Sequence, residues 1–373
     1  MLRAMHGFSD AQYGAIFLPQ VVAAVIGAVG GGVLAQRIGL KALLVLALLA
    51  NTLSQALLAA SSGMAADTAY AIVLAGTASL GLGFGLSGAP LNSFPPTFFP
   101  ERRNTAVVAL HTLLGLGLMA GPLLAAWTMD RWLRFPLSLL VVCLAVAIVV
   151  ALTSFPDDRA TERSTRKARQ NKQGDRQSES DAAPAPQRST VFWLFMTIAV
   201  LYAFAEGTFS SWVAIYLQQT KQLPETTAAA ALSAFWGALV AGRLLVSVIV
   251  VRVAAERVWQ TLPVIMILAF LLLPYVDSPA SSIALFALAG LACSAFFPLT
   301  MALVSRQFDQ HVAWVSAMLT AALMLGVGLG AFAIGALRNW LTLEQLYRVS
   351  AVYPILVLLL IAATLRKARG AAS

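Results

Sequence analysis

Residues 134–155 read RFPLSLLVVCLAVAIVVALTSF, a run whose single charge, Arg134, stands at its start. A helix of about 20 apolar residues is long enough to span the ~30 Å hydrocarbon core of a bilayer. Because apolar residues occupy nearly every side of this run, it predicts an outer helix that faces lipid. The run therefore indicates an integral membrane protein.

Similar runs follow one another along nearly the whole chain. Its 373 residues are 59% hydrophobic and 11% charged, with a mean hydropathy of +0.80, whereas soluble domains carry about 25% charged residues. Charges, prolines and polar clusters separate eleven predicted helices, at 13–34, 41–60, 68–93, 104–128, 134–155, 191–218, 226–251, 258–276, 280–304, 312–337 and 345–366. The fold class predicted is an all-α polytopic membrane protein.

The composition changes abruptly after residue 155. The segment from Asp157 to Thr190 holds fourteen charged residues and no Ile, Leu, Val, Met, Phe, Tyr or Trp. Such a segment cannot bury enough apolar surface to fold, so residues 156–190 are predicted to be a disordered cytoplasmic linker. The linker separates an N-terminal half, 1–155, with five helices from a C-terminal half, 191–373, with six.

Lysine and arginine are distributed unevenly between alternate loops. Eighteen lie on the side that carries Arg37 and the linker, six lie on the other side, and Arg243 is within a span. Positively charged loops stay in the cytoplasm. We therefore expect a protein of the cell inner (plasma) membrane whose linker and C-terminus lie on the cytoplasmic side and whose N-terminus lies on the outer side. The placement of basic residues in cytoplasmic loops thus explains the net charge of +9. No stripe of basic residues interleaved with aromatic residues is present in the sequence, so we expect no nucleic-acid partner.

The two halves share sequence features. GLGFGLSGAPL (81–91) is similar to GLACSAFFPL (290–299), and a later helix of each half is rich in glycine. These glycines are Gly115, Gly117 and Gly121 in the first half and Gly326, Gly328 and Gly330 in the second. Corresponding, pseudo-symmetric halves are typical of secondary transporters. The correspondence leaves the first half without its opening helix.

The stretch GGGVLAQRIGLKALL (30–44) resembles the loop after the second helix of the major facilitator superfamily. The family pattern is Gly-x-x-x-Asp-Arg-x-Gly-Arg-Lys, which is matched here by Gly32, Arg37, Gly39 and Lys41, while Gln36 and Leu40 depart from it. The resemblance covers residues 8–366 and implies twelve spans, so that the first is absent from the eleven seen here. Either the start codon was placed downstream of the real one or the protein has eleven spans.

The same resemblance implies that Arg37 and Lys41 latch the cytoplasmic side of the transporter. Positive-inside anchoring alone would also account for both cations.

Parts of the sequence resemble two different subgroups of the superfamily. The stretch from Asn92 through His111 to Pro122 and the stretch FAEGTFSSWVAIYL (204–217) are similar to the fucose-permease-like sugar/proton symporters. The Gly117-x-x-x-Gly121-Pro122 pattern also resembles the fifth-helix motif of drug and metabolite antiporters. The direction of transport is therefore open at this point.

Glu206 is the one carboxylate among sixteen acidic residues that lies at the centre of a predicted span. An ionisable group facing lipid there costs at least about 2.5–3.5 kcal/mol, so Glu206 should face a water-filled cavity or a partner. A carboxyl in such a place is a candidate for proton coupling. Tyr202 and Ser210, four residues away on either side, share its helix face and are candidates for the solute site. A Glu held by hydrogen bonds to another helix is the structural alternative.

Arg243 and His111 are the other ionisable candidates within spans. The axial offset between Arg243 and Glu206 is about 6–8 Å at 1.5 Å per residue, so the two side chains could meet and Arg243 could act in gating. Snorkelling to the boundary is equally compatible with Arg243. His111 could relay protons or bind a polar ligand, or make only an interhelical hydrogen bond.

A solute site also needs polar and aromatic contacts. Asn92 lies near the cytoplasmic end of its span, and aromatic rings that could stack on a sugar or ring face are Trp212, Trp236, Phe296 and Phe297. Aromatic residues in spans also serve in packing and interface belts.

Several function classes find no support. The sequence has no phosphate-binding loop and no cluster of His, Cys or carboxylates, so we expect no enzyme activity, catalytic residues, metal or cofactor. Cys143 and Cys293 fall inside apolar runs and predict packing rather than a disulfide.

The function predicted first is a monomeric secondary transporter that moves a small, sugar-like organic solute with protons by alternating access. The alternatives are a proton-coupled efflux antiporter for drugs or metabolites, and a non-transporting sensor or inactive truncated transporter.

Overall fold

The computed structural model describes residues 5–128, 131–155, 186–308 and 311–370. The first part of the chain forms α1 (Asp10–Ala15), α2 (Phe17–Ile38), α3 (Leu40–Ser61), α4 (Ala66–Phe98), α5 (Arg103–Trp127) and α6 (Arg134–Leu152). The second part forms α7 (Thr190–Ile215), α8 (Glu225–Ile249), α9 (Ala255–Leu272), α10 (Pro279–Ser294), α11 (Phe296–Gln307), α12 (Val312–Leu337), α13 (Leu343–Ser350) and α14 (Val352–Gly370). Residues 156–185 of the predicted linker lie outside the described residues.

The all-α polytopic class is confirmed, and a helix stands at each of the eleven predicted spans. In the described ranges ten helical segments are long and apolar enough to cross a membrane. The remaining predicted span, 104–128, corresponds to α5, whose apolar part is Thr112–Trp127.

Three spans that the sequence predicts as single helices are each two helices in the structure. The span at 13–34 breaks at Ile16, between α1 and α2, the span at 280–304 at Ala295, between α10 and α11, and the span at 345–366 at Ala351, between α13 and α14. Pro19, Pro298 and Pro354 follow the three breaks. A proline has no N–H for the carbonyl four residues earlier and its ring clashes with it, so the helix is interrupted there.

Two glycines have a clear structural role in the first half. Gly39 joins α2 to α3 with φ of +86°, a backbone conformation that other residues rarely adopt. Gly85 lies where α4 crosses α2 so closely that a Cβ atom there would overlap the carbonyl oxygen of Ala24. The glycine-rich run 81–91 thus allows close packing of α2 and α4.

The parts before and after residues 156–185 meet along two seams. In one seam α1 and α2 pack on α12, with Gly14 against Gly335 and Val21 against Gly328. In the other seam α5 packs on α8, with Gly115 against Val240. The largest described core lies in the second part and surrounds α7.

The two ends of the bundle are distinguished by their charged residues. We call one the Asp10 end and the other the Arg37 end; the first carries Asp10, Lys221, Asp277 and Arg338, the second Arg37, Lys41, Arg102 and Arg306. Two polar contacts between the two parts lie at the Asp10 end. Arg338 Nε is 2.8 Å from Asp10 Oδ2, and the Tyr13 hydroxyl donates to the Ser211 carbonyl at 2.8 Å.

Candidate functional site

Glu206 lies at the middle of α7 and is half-buried. Helix α7 packs against α8, α10, α12 and α14, so that its residues are more enclosed than those of the outer helices. Glu206 is therefore a carboxyl deep in the bundle with part of its surface accessible. This is the placement expected of a residue that faces a cavity rather than lipid.

Tyr202 and Ser210 lie one turn from Glu206 on either side, as the helical spacing predicts. Tyr202 is 2% exposed, its hydroxyl donates to the Cys293 carbonyl at 2.8 Å, and it lies near enough to the Glu206 carboxyl, one turn along the same helix, to interact with it. The Ser210 hydroxyl donates to the Glu206 carbonyl oxygen at 2.9 Å, a bond within the same helix. Tyr202 thus bonds a neighbouring helix beside the Glu206 carboxyl, whereas the Ser210 hydroxyl bonds the backbone of its own helix.

Arg243 of α8 faces this group of residues. Its Nε donates to the Ser294 carbonyl at 3.0 Å, and its charge lies close enough to interact with Glu206. The helix faces of α7 and α8 therefore agree, and the small axial offset deduced from the sequence brings both side chains to the same level of the bundle.

The break between α10 and α11 completes the site, and the sequence analysis did not anticipate it. The carbonyls of Cys293 and Ser294 end α10, and the Ser294 carbonyl has no intrahelical donor because Pro298 lacks an N–H. Irregular backbone at membrane depth is tolerated where other groups satisfy it. Here Tyr202 and Arg243 do so. Pro298, within the run 290–299, was the available sequence signal.

The predicted aromatic residues divide into two groups. Trp212 is fully buried, its indole N–H donates to the Ala331 carbonyl at 3.0 Å, and its ring meets the Tyr13 ring edge-on at 5.0 Å. Its ring is therefore part of the packing between α1, α7 and α12. Trp236 and Phe297 are half-buried and keep some accessible surface.

The neighbouring Phe296 is fully buried and stacks on the Tyr202 ring, with centroids 4.9 Å apart. Of the two adjacent phenylalanines, only Phe297 is thus available to a solute in this structure.

Of the residues predicted in the first half, Asn92 does not join this group. Asn92 is exposed and its side-chain amide donates to the Gly88 carbonyl at 2.8 Å, within α4. His111 lies in α5, and its side chain is outside the described part of the structure.

The two predicted latch residues lie at the Arg37 end. Arg37 is exposed, whereas Lys41 Nζ donates to the Ala151 carbonyl at 2.8 Å and lies 5.9 Å from the centre of the Phe155 ring. Lys41 therefore ties the start of α3 to the end of α6, within the first half.

The glycine pairs of α5 and α12 have different surroundings. A Cβ atom on Gly326 or Gly330 would overlap or closely contact α7, at Ala203 and Phe204 respectively, whereas Gly117 and Gly121 have nothing within 4 Å of such an atom. Beside this open face, at the Arg37 end, lies an apolar groove of about 550 Å³. Its walls come from α3, α4, α5 and the segment that follows α6, with Leu44, Phe94, Leu110 and Phe155 among them.

Among the described residues there is no group of three or more His, Cys, Asp or Glu side chains that could hold a metal ion.

A bundle of membrane-spanning helices in two packed parts, with polar residues concentrated at the centre, defines the class of polytopic membrane transporters. A family model described as the Major Facilitator Superfamily matches residues 2–285. The chain belongs to this superfamily and is a secondary transporter, not an enzyme.

The comparison with solved structures agrees in fold. The crystal structure of the nucleoside transporter NupG superposes with a TM-score of 0.75, covering 98% of this chain and 92% of that chain at 13% sequence identity. At this identity the likeness concerns the fold alone. No curated protein sequence matches the chain.

Proposed function

We propose that the protein moves a small, sugar-like organic solute together with protons by alternating access, and that Glu206 is the residue that binds the proton. The observation that carries this proposal is the half-buried carboxyl at the centre of α7, which lies near enough to Tyr202 and to Arg243 to interact with both. Both protonation states have a partner there. The ionised carboxylate attracts Arg243, and the protonated carboxyl can donate to the Tyr202 oxygen.

The solute is proposed to bind beside Glu206. Trp236 and Phe297 offer accessible aromatic surface for stacking on a sugar or base ring. Asn92 and His111 of the first half would contribute polar contacts when the halves close on the solute. The likeness to a nucleoside transporter, a carrier of sugar-bearing compounds, is compatible with this class. Because Tyr202, Glu206 and Arg243 come from one chain, a monomer suffices.

We propose that the Arg37 end faces the cytoplasm of a cell inner membrane, as the eighteen-to-six distribution of basic residues favours. The bonds between halves described above lie at the opposite, Asp10 end. This distribution is compatible with a conformation closed to the outside. Arg37 would then help to close the cytoplasmic side in the alternate conformation, with Lys41 maintaining the α3–α6 contact.

We propose that a further transmembrane helix packs on the open face of α5. Gly117 and Gly121 have the same four-residue spacing as Gly326 and Gly330, which seat α7 in the second half. Small residues at this spacing let helices approach closely in membranes. The apolar groove beside them would receive one end of that helix.

Leucine substitution tests this helix in cell membranes. Gly117→Leu should reduce the amount of folded protein, because the new side chain would overlap a seated helix. Gly326→Leu is the positive control, since it must displace α7. Unchanged stability of Gly117→Leu would show that lipid covers this face.

The substitution Glu206→Gln tests the proton-coupling proposal. Glutamine imitates a permanently protonated carboxyl, so uptake driven by a pH gradient should fall to background while solute binding and solute-for-solute exchange persist. The measurements are flux in right-side-out and inverted vesicles, with a panel of sugars, nucleosides and amphiphiles, and binding by calorimetry. Proton-driven uptake at the wild-type rate would refute the role of Glu206.

The vesicle orientations also separate symport from a second candidate, efflux by antiport. The Gly117-x-x-x-Gly121-Pro122 pattern of α5 favours this alternative. Solute movement opposite to the proton gradient would support it, and no movement with any compound in the panel would favour a sensor or an inactive protein.

A further inference from the structure

The Tyr202 hydroxyl has two possible acceptors and only one proton. The Cys293 carbonyl accepts its hydrogen bond at 2.8 Å, and the Glu206 carboxyl, one turn along the same face of α7, lies close enough to interact with the hydroxyl. A hydroxyl donates one hydrogen bond and accepts up to two. An ionised Glu206 can only accept, so it competes with the Cys293 carbonyl for the tyrosine proton. A protonated Glu206 can donate to the tyrosine oxygen, which leaves the tyrosine proton on Cys293.

Tyr202 also spans the joint between α10 and α11. Its hydroxyl bonds the carbonyl of Cys293, one residue before the end of α10, and its ring stacks on Phe296, the first residue of α11, at an interplanar angle of 25°. The side chain is 2% exposed, so water does not readily replace either contact. One side chain of α7 therefore holds both sides of the break.

Other side chains also contact the joint, and the Trp259 ring stacks on Phe296 with centroids 6.0 Å apart. Arg243 Nε bonds the Ser294 carbonyl at 3.0 Å, and Trp259 Nε1 donates to the Thr300 hydroxyl at 2.8 Å in α11. A proline-containing break of this kind can change its angle when a hydrogen bond across it is lost.

In the part of the chain that the structure describes, three ionisable side chains interact with Glu206. They are Tyr202 on its own helix, Arg243 of α8 and Cys293 of α10. Helix α12, packed on α7, contains no ionisable side chain from Val312 to Leu337. Helix α14 brings Tyr353 against Phe204, about half a turn from Glu206 and on the other side of α7, and α13 brings Tyr347 to the Thr208 carbonyl. The protonation of Glu206 is thus the charge change to which the joint can respond.

We propose that Tyr202 is a positioning residue that links the protonation of Glu206 to the angle between α10 and α11. With Glu206 protonated, a chain of hydrogen bonds runs from the carboxyl through Tyr202 to the Cys293 carbonyl and locks the joint. With Glu206 ionised, the tyrosine proton turns to the carboxylate and the joint loosens. This inference rests on the proposed function, because it gives the proton bound at Glu206 a structural effect on the helix beside it.

Hydrogen–deuterium exchange of a peptide covering residues 290–300 tests the link in the full-length protein. After correction for the pH dependence of chemical exchange, wild-type exchange should rise about fivefold when Glu206 ionises, the effect of losing one neutral hydrogen bond. In Glu206→Gln the 290–300 peptide should exchange slowly at both low and high pH, because the glutamine amide donates to the tyrosine oxygen. Tyr202→Phe, which keeps the ring, should exchange fast at both.

The control variant is Tyr347→Phe, which removes another buried tyrosine bond, from Tyr347 to the Thr208 carbonyl at 3.0 Å. It should leave the pH response of residues 290–300 intact. The role of Tyr202 would be overturned if exchange in Tyr202→Phe depended on pH as in the wild type, or if wild-type exchange did not depend on pH. If Glu206→Gln loses proton-driven uptake while the wild-type exchange rate of residues 290–300 does not depend on pH, the proposed function stands and this link fails. If Glu206→Gln retains proton-driven uptake, the proposed function fails.

Discussion

At the scale of single residues, the same residue type has different roles according to its contacts. Trp212 and Trp236 both lie in predicted spans and are equal candidates for stacking on a solute. In the structure Trp212 is enclosed and bonded to the Ala331 carbonyl, whereas Trp236 keeps accessible surface. Sequence spacing could not separate them because helical periodicity gives the face of a residue but not its neighbours.

The two tryptophans are expected to respond differently to substitution by phenylalanine. Trp212→Phe leaves the Ala331 carbonyl without its donor, which should lower the free energy of unfolding by about 1–3 kcal/mol and leave KM for the solute nearly unchanged. Trp236→Phe, the matched variant, should change KM more than stability. Thermal unfolding in detergent and uptake kinetics in vesicles provide both quantities. A raised KM in Trp212→Phe at unchanged stability would place Trp212 in the solute site.

At the scale of the helices, small residues decide how closely two elements approach. The run 81–91 is predicted to correspond to 290–299, and the two runs meet other helices in similar ways. Gly85 lies against the Ala24 carbonyl of α2, and Gly290 lies against the Phe235 carbonyl of α8. The sequence similarity of the runs thus has a common structural reason, which is the close crossing of α4 on α2 and of α10 on α8.

An alanine at position 85 should disturb this crossing. Its Cβ atom would overlap the Ala24 carbonyl, so we expect Gly85→Ala to destabilise the protein by about 1–3 kcal/mol. Gly88→Ala is the control on the same helix, since nothing lies within 4 Å of its Cβ position, and alanine there should be neutral or stabilising by about 0.5–1 kcal/mol. Equal melting temperatures of the two variants would contradict the close crossing.

At the scale of the whole molecule, the contact between the two halves at the Asp10 end determines which side is closed. The ion pair between Asp10 and Arg338 is 16–20% exposed and joins α1 to the end of α12. Gly14 and Gly335 allow these helices to approach beside it. A contact made in only one conformation stabilises that conformation relative to the other.

Removing the ion pair should shift the population toward opening at the Asp10 end. Asp10→Asn and Arg338→Gln are each expected to increase the apparent affinity for solute added at that side about fivefold, equivalent to about 1 kcal/mol. The double variant should add little to either single one, as a double-mutant cycle would show. Lys221→Gln, which breaks an ion pair with Asp277 inside the second half, is the control. Additive effects of the two substitutions would argue against a shared contact.

The sequence by itself determined the membrane class, the eleven spans and the superfamily, because the length of an apolar run and a loop pattern around Gly39 are local properties. It also selected Glu206, since a carboxylate at the centre of a span is visible in one dimension. Only the tertiary structure decided that Tyr202 and Arg243 bond the carbonyls at the end of α10. Those contacts join residues 91 and 51 positions apart, and they depend on how each helix is rotated and where Pro298 breaks the chain, which periodicity alone does not fix.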